Sequence, residues 1–193
     1  IGFLFSSMVE ESTEKKKEEI ENCIIRELLE ELRNFEWVLD TIKPKSGDIP
    51  ILNGIDIYGI VKPINGIVGG DHVIWVDFNK RYRLDDLITQ AKLLSRNNII
   101  TELQENKQRA GILVADVAGH NITYWVVIAM LHQTFLTGAM YELDIEGQIT
   151  TQLFEKINTR FCNSTSITKL VTMIYGEISE KGRFRFVNAG HPT

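Results

Sequence analysis

Basic charge, cysteine, proline and long apolar runs are all scarce in this chain of 193 residues. Lys plus Arg number 21 against 26 Asp plus Glu, a net charge of −5, so no positive field exists to hold a phosphate backbone and nucleic-acid binding is disfavoured. Two cysteines, Cys23 and Cys162, are too few for a secreted disulfide framework and point to a reducing, cytoplasmic setting. The apolar stretch at 1–5 falls far short of the roughly 20 residues that span a bilayer, so no membrane insertion is expected. Beginning with Ile rather than Met, the chain reads as a piece of a longer protein, such as the cytosolic part of a receptor. What is present, 44% hydrophobic and 24% charged residues, suits a globular domain that builds a core without disulfide or metal staples.

Two of the four prolines fall within 43–50, where Pro44, Gly47 and Pro50 interrupt all periodicity and mark a linker. Before it, residues 12–40 carry Ile20, Ile24, Leu28, Leu32, Phe35 and Leu39 at spacings of three and four, which predicts a long amphipathic helix that packs against its own domain or a partner copy. Residues 1–11 read as a tail, 12–42 as a linker or regulatory helix and 43–193 as the main domain. Within that domain, alternation predicts strands at 55–61 and 72–78 joined by a glycine-rich turn. Helical spacing predicts a pair of helices over 84–106, interrupted at Asn97-Asn98. A buried strand is expected at 110–117, then a helix at 122–141 that is apolar nearly all round and therefore heavily covered. A further helix begins near Thr150 or Thr151 and turns Leu153, Phe154, Ile157 and Phe161 inward. A hairpin closes the chain, 170–178 and 183–187 about a turn at 179–182. The element order predicts an α/β layered sandwich with mainly antiparallel pairing.

Two acidic residues close apolar segments beside glycines. Asp71 follows Gly69-Gly70, and Asp116 ends the buried run before Gly119. A carboxylate at the end of a buried strand is costly unless it is paired, hydrogen-bonded or bound to a cation, and hard divalent cations take such oxygen ligands. An Asp after Gly-Gly is more often a turn or cap residue than a ligand, and spacing alone does not settle which it is here. Thiol phosphatase chemistry is disfavoured because the Arg it requires six residues after the cysteine is replaced by Thr168 after Cys162 and by Leu29 after Cys23. The glycines at 66, 69 and 70 do not form a nucleotide P-loop, since no Gly-Lys-Ser/Thr follows.

Four blocks stand in order: Gly69-Gly70-Asp71, Ala115-Asp116-Val117-Ala118-Gly119-His120, Met173-Ile174-Tyr175-Gly176 and Val187-Asn188-Ala189-Gly190-His191-Pro192. In this the chain, from about residue 53 onward, resembles the bacterial metal-dependent serine/threonine protein phosphatases of the phosphatase 2C-like family, in the branch of SpoIIE and RsbU. The resemblance implies an α-β-β-α sandwich of two sheets and a dinuclear Mn²⁺ or Mg²⁺ site. Asp71 and Asp116 are then the catalytic metal ligands, and Val117 contributes its backbone carbonyl. It further implies hydrolysis of phosphoserine or phosphothreonine by a metal-activated water, a STAS-type anti-sigma-factor antagonist as substrate, an upstream sensor or receiver domain, and a possible homodimer through the N-terminal helix. The family's remaining Asp ligands lie beyond the last block, so the metal site is expected to be incomplete here. His72 stands where the family often has an aromatic residue and Asn121 where it often has Gly. The helical stretch at about 81–107 is an insertion, readable as a lid or a partner surface. His120 and His191 are expected to make structural hydrogen bonds near the site, and His132 to be a core or surface residue. The alternative is a degenerate phosphatase fold that acts by binding a partner.

Overall fold

The computed structural model describes residues 2–61, 71–118, 122–164 and 170–192. Contacts divide the chain into two compact units, Ile1–Thr41 and Ile42–Thr193.

The first unit is a single helix, α1 (Gly2–Asp40). It takes in the segment read as a tail, because no proline or glycine interrupts residues 3–40 and nothing stops helix propagation toward the N-terminus. Ile20, Ile24, Ile25, Leu28 and Leu29 all lie exposed along it, Leu28 at 63%.

The second unit contains α2 (Phe78–Arg81), α3 (Leu84–Leu93), α4 (Asn97–Asn106), α5 (Ile122–Glu146) and α6 (Thr151–Ser164). Its strands are β1 (Asp71–Asp77), β2 (Arg109–Val117), β3 (Val171–Ser179) and β4 (Phe184–Ala189). They form one antiparallel sheet in the order β1-β2-β3-β4. The two-sheet sandwich is not what the described residues display; they hold this single four-stranded sheet. The strand expected at 55–61 is absent as well: the segment carries an isolated bridge between Leu52 and Ile55 and no ladder. It has another task. Gly59 lies so close against the Trp75 indole that an added Cβ would meet Cζ2 at 2.8 Å, and Trp75 is buried beneath it. The glycine turn expected before β1 falls on residues 62–70, outside the described ones.

Period-two alternation decides which side chains enter the core. Ile74 and Val76 of β1, Leu113 and Ala115 of β2, and Met173 and Tyr175 of β3 share the helix-covered face and are buried. Ile128, Leu131, Phe135, Ala139 and Leu143 of α5, at spacings of three and four, fill the layer above them with Leu153, Phe154 and Ile157 of α6. Phe135, Phe154 and Tyr175 form a three-ring cluster with centroids 5.4–6.2 Å apart. Only one side of α5 is covered. Val126, Met140, Tyr141 and Ile145 are exposed, contrary to the expectation of heavy cover, because the helix lies as an outer layer on a single sheet face.

The helical pair appears as expected, with its break at Leu94–Arg96 rather than at Asn97-Asn98, which instead open α4. Gly147 ends α5 with φ +72, its amide donating to the Leu143 carbonyl at 3.1 Å. Its own carbonyl accepts the Asn106 amide at 2.7 Å, tying α4 to the end of α5. Close approach matters at Gly111 too: a Cβ there would meet Tyr175 Oη at 2.7 Å and Val76 Cβ at 3.0 Å. Tyr175 cannot swing aside, since its hydroxyl donates to buried Glu177 at 2.7 Å. Gly111→Ala is therefore expected to cost about 1–3 kcal/mol by overpacking, read from urea unfolding midpoints; an unchanged midpoint would show that the β2–β3 layer can shift. Among the described residues no helix is long and apolar enough to cross a membrane.

Candidate functional site

One end of the sheet gathers the sequence-predicted residues. Asp71 opens β1, Asp116 sits one residue from the end of β2, and the antiparallel register pairs them directly. Side chains on directly paired residues share a face, so the two carboxylates stand side by side on the side of the sheet away from the helices. Both are exposed. Among the described residues neither has a hydrogen-bond or ion-pair partner. Like charges directly opposed across a strand pair destabilise it, so the arrangement is one that a cation between them would relieve.

Thr172 of β3 pairs with Asp116 on the next strand and extends the row. Its hydroxyl lies 3.1 Å from His191 Nδ1. The Asn188 side chain holds the backbone of His191, donating to its carbonyl at 3.0 Å and accepting its amide at 2.8 Å. Together with a bridge between Met173 and Gly190, this folds the final block back against β3. The row therefore runs Asp71, Asp116, Thr172, His191. Thr172 was not singled out from sequence; its place immediately before Met173-Ile174-Tyr175-Gly176 was the available signal.

Val117 turns its side chain into the helix-covered core, and the Ala118 amide donates to the Leu170 carbonyl at 2.9 Å, fixing the backbone at the strand end. Gly69, Gly70, Gly119 and His120 lie outside the described residues. Among the described residues no group of three or more His, Cys, Asp or Glu is placed to hold a metal ion. Asp71 and Asp116 are thus of the right chemical kind for a hard cation, two carboxylate donors on one face, and too few to enclose it by themselves.

His72, next to Asp71, points the opposite way, as alternation requires. It meets His132 of α5, with Nε2 and Nδ1 2.9 Å apart and both rings buried. One ring donates and the other accepts, so the pair is satisfied when neutral. Burial, reinforced by His132, lowers the His72 pKa to about 4. Burial also lowers His132 to about 4, helped by the Arg81 charge and opposed by Asp48. Because the folded values lie below the free value, stability is fully present above pH 6.5 and is lost as pH falls toward 4, the unfolded chain taking up protons first. Between pH 6.5 and 5 each ring is expected to lose about 1.5 kcal/mol of its contribution to stability. Urea midpoints should fall over that interval, and His132→Gln should flatten the slope; equal slopes in both proteins would refute the assignment.

Comparison with known families adds a finding at this point. Residues 106–193 match the model of the Stage II sporulation protein E (SpoIIE) family. The match covers a little under half of the chain and includes Asp116, Val117, Thr172 and His191, while Asp71 precedes it. No curated protein matches the chain. The segment that carries β2 to β4 is thus similar to the SpoIIE family.

Proposed function

We propose that this domain hydrolyses phosphoserine or phosphothreonine on a signalling protein with the help of Mn²⁺ or Mg²⁺. The observation that carries the reading is the direct pairing of Asp71 with Asp116 at a sheet end, within and beside the SpoIIE-like segment. Asp71, Asp116 and the Val117 carbonyl would hold the cation. Bound there, it would supply positive charge to the phosphate oxygens and acidify a water at neutral pH. The chain's own part is placement. Two adjacent antiparallel strands fix the carboxylates, the Ala118 to Leu170 hydrogen bond fixes the carbonyl donor, and Thr172 holds the His191 ring beside the row. No cysteine is needed as nucleophile in this reading.

A STAS-type anti-sigma-factor antagonist is the proposed substrate. The proposed controlling input is an upstream sensor or receiver domain acting through α1, whose exposed apolar stripe suits a second copy of the same helix. A second reading is favoured by one observation, the lack of a third metal ligand among the described residues: a phosphatase fold that binds a phosphoprotein without turning it over. Phosphate release from a phosphoserine peptide separates the two. Metal-free protein should gain release on addition of Mn²⁺ and lose it with EDTA. Peptide binding without Mn²⁺-stimulated release would select the second reading.

A further inference from the structure

β4 closes the sheet at one edge, with β2 and β3 between it and β1. Which of its backbone groups stand open follows from the ladder. In an antiparallel pair, alternate residues exchange both bonds with the facing strand, and the residues between them point the other way. The Ser179 amide donates to the Arg183 carbonyl at 3.0 Å. Bonded pairs recur every second residue, so Glu177 with Arg185 and Tyr175 with Val187 exchange bonds, and Gly176 with Phe186 does not. The other side of β3 agrees: the Ala118 bond to Leu170 assigns Thr172, Ile174, Gly176 and Ile178 to β2 and leaves Tyr175 and Glu177 for β4. Phe184, Phe186 and Asn188 therefore turn their N–H and C=O groups outward, and among the described residues no backbone group meets them.

Natural sheet edges are commonly guarded by lysine, proline, a bulge or a covering element. β4 reads Phe184-Arg185-Phe186-Val187-Asn188-Ala189 and has neither lysine nor proline. Its one charge, Arg185, is turned to the helix-covered side and paired with buried Glu177, with Nη2 at 2.7 Å. On the other side Phe184 and Phe186 stack, 57% and 61% exposed. An open backbone flanked by apolar rings specifies the shape of its occupant, an extended strand.

The edge is also complementary to itself. When two β4 strands pair antiparallel about a two-fold axis at Phe186, Phe184 faces the partner's Asn188 and Phe186 faces the partner's Phe186. These are the outward-turned residues, so three amides from each copy find carbonyls in the other. A shift by one residue would set them against groups already bonded to β3, which fixes the register. Arg185 then lies opposite the partner's Val187, so no like charges are directly opposed. The two aromatic pairs join into a row of four rings. At about three-fifths exposure and about 200 Å² per ring, they withdraw about 500 Å² from water. With the strand edges added the contact reaches about 1,000 Å², the lower bound of a specific interface, so the association is weak and depends on concentration. Because both copies use the same edge, it closes at two copies.

We infer that β4 is a dimerisation edge, through which two copies of this chain join their sheets into one continuous antiparallel sheet. The surface is distinct from the apolar stripe of α1, and neither Asp71 nor Asp116 takes part, so the inference stands or falls apart from the phosphatase reading. Amide hydrogen exchange of the ¹⁵N-labelled chain, followed at rising protein concentration, tests it. The amides of Phe184, Phe186 and Asn188 are expected to slow with concentration, while those of Arg185 and Val187, already bonded to β3, hold their rates. Phe186→Pro removes the central amide, which bonds nothing within its own copy, and Phe186→Lys sets two cations face to face on the axis. Each should raise the dimer dissociation constant at least about tenfold, read by sedimentation. The lysine variant keeps every backbone bond of the single copy, so it decides the matter should the proline variant unfold. Doubling of mass with the three amides still fast would place the contact at α1 and overturn the inference. So would slowing that appears only on addition of the phosphoserine peptide, which would give the edge to a substrate chain. A dissociation constant unchanged in the lysine variant, or exchange indifferent to concentration, overturns it as well.

Discussion

Asp116→Asn is expected to lower Mn²⁺-dependent phosphate release by about 10²-fold or more, and Asp71→Asn to do the same, because under the proposed function each removes one of the two paired carboxylates that would hold the cation. A parallel measurement separates function from architecture. Both carboxylates are exposed and directly opposed, so neutralising either one removes a like-charge pair and should hold or raise stability, by about 0.2–1 kcal/mol. The combination of lost turnover with an unchanged or higher urea midpoint is the signature of residues kept for chemistry at the expense of the fold. If turnover survives in both variants, Asp71 and Asp116 are turn residues and the phosphatase reading loses its site. If turnover and stability fall together, they are structural caps.

Glu177→Ala is the substitution expected to damage the fold most. The carboxylate is 2% exposed and joins three strands and a helix through Tyr175, Arg185 and Arg109, the last reaching on to Glu105 and Asn106 of α4. Removing it leaves Arg109 as a buried cation with part of its compensation gone, and leaves the Tyr175 hydroxyl without its acceptor. Broken buried pairs cost about 3–5 kcal/mol; the lower end applies here because Glu105 and Asn106 continue to satisfy part of Arg109. A loss below about 1 kcal/mol in urea unfolding would mean that water replaces the carboxylate at no cost. Tyr175 reports on the same network from a second side: burial, followed by the Glu177 charge, holds its phenol well above the usual range.

Elements were readable from sequence wherever a period and a boundary agreed. The apolar run now seen as β2, the helical pair α3 and α4, and the final hairpin all had both. Where the pattern was ambiguous, tertiary contact decided. Residues 55–61 alternate as a strand does, yet Gly59 serves as a flat surface for Trp75, a role that no local pattern announces. The uniform apolarity of α5 promised burial on every side, but one sheet face offers cover to only one side of a helix. At the site, motif order pointed to Asp71 and Asp116. The register that pairs them, and the inclusion of Thr172, depend on long-range strand pairing that a linear reading does not contain. The network about Glu177 left no trace at all, since its members span residues 102–185 and only the fold brings them together.

The helix-free side of the sheet has a consequence for how the domain behaves in denaturant. Val73, Ile112, Val114 and Ile174 are only half-buried there, and Phe184 and Phe186, stacked with centroids 5.8 Å apart, are largely bare, Phe186 at 61%. The area newly wetted on unfolding is smaller than in a sheet covered on both sides, and the sensitivity of the unfolding free energy to urea scales with that area. A layer laid over Phe184 and Phe186 would therefore steepen the transition as well as move it.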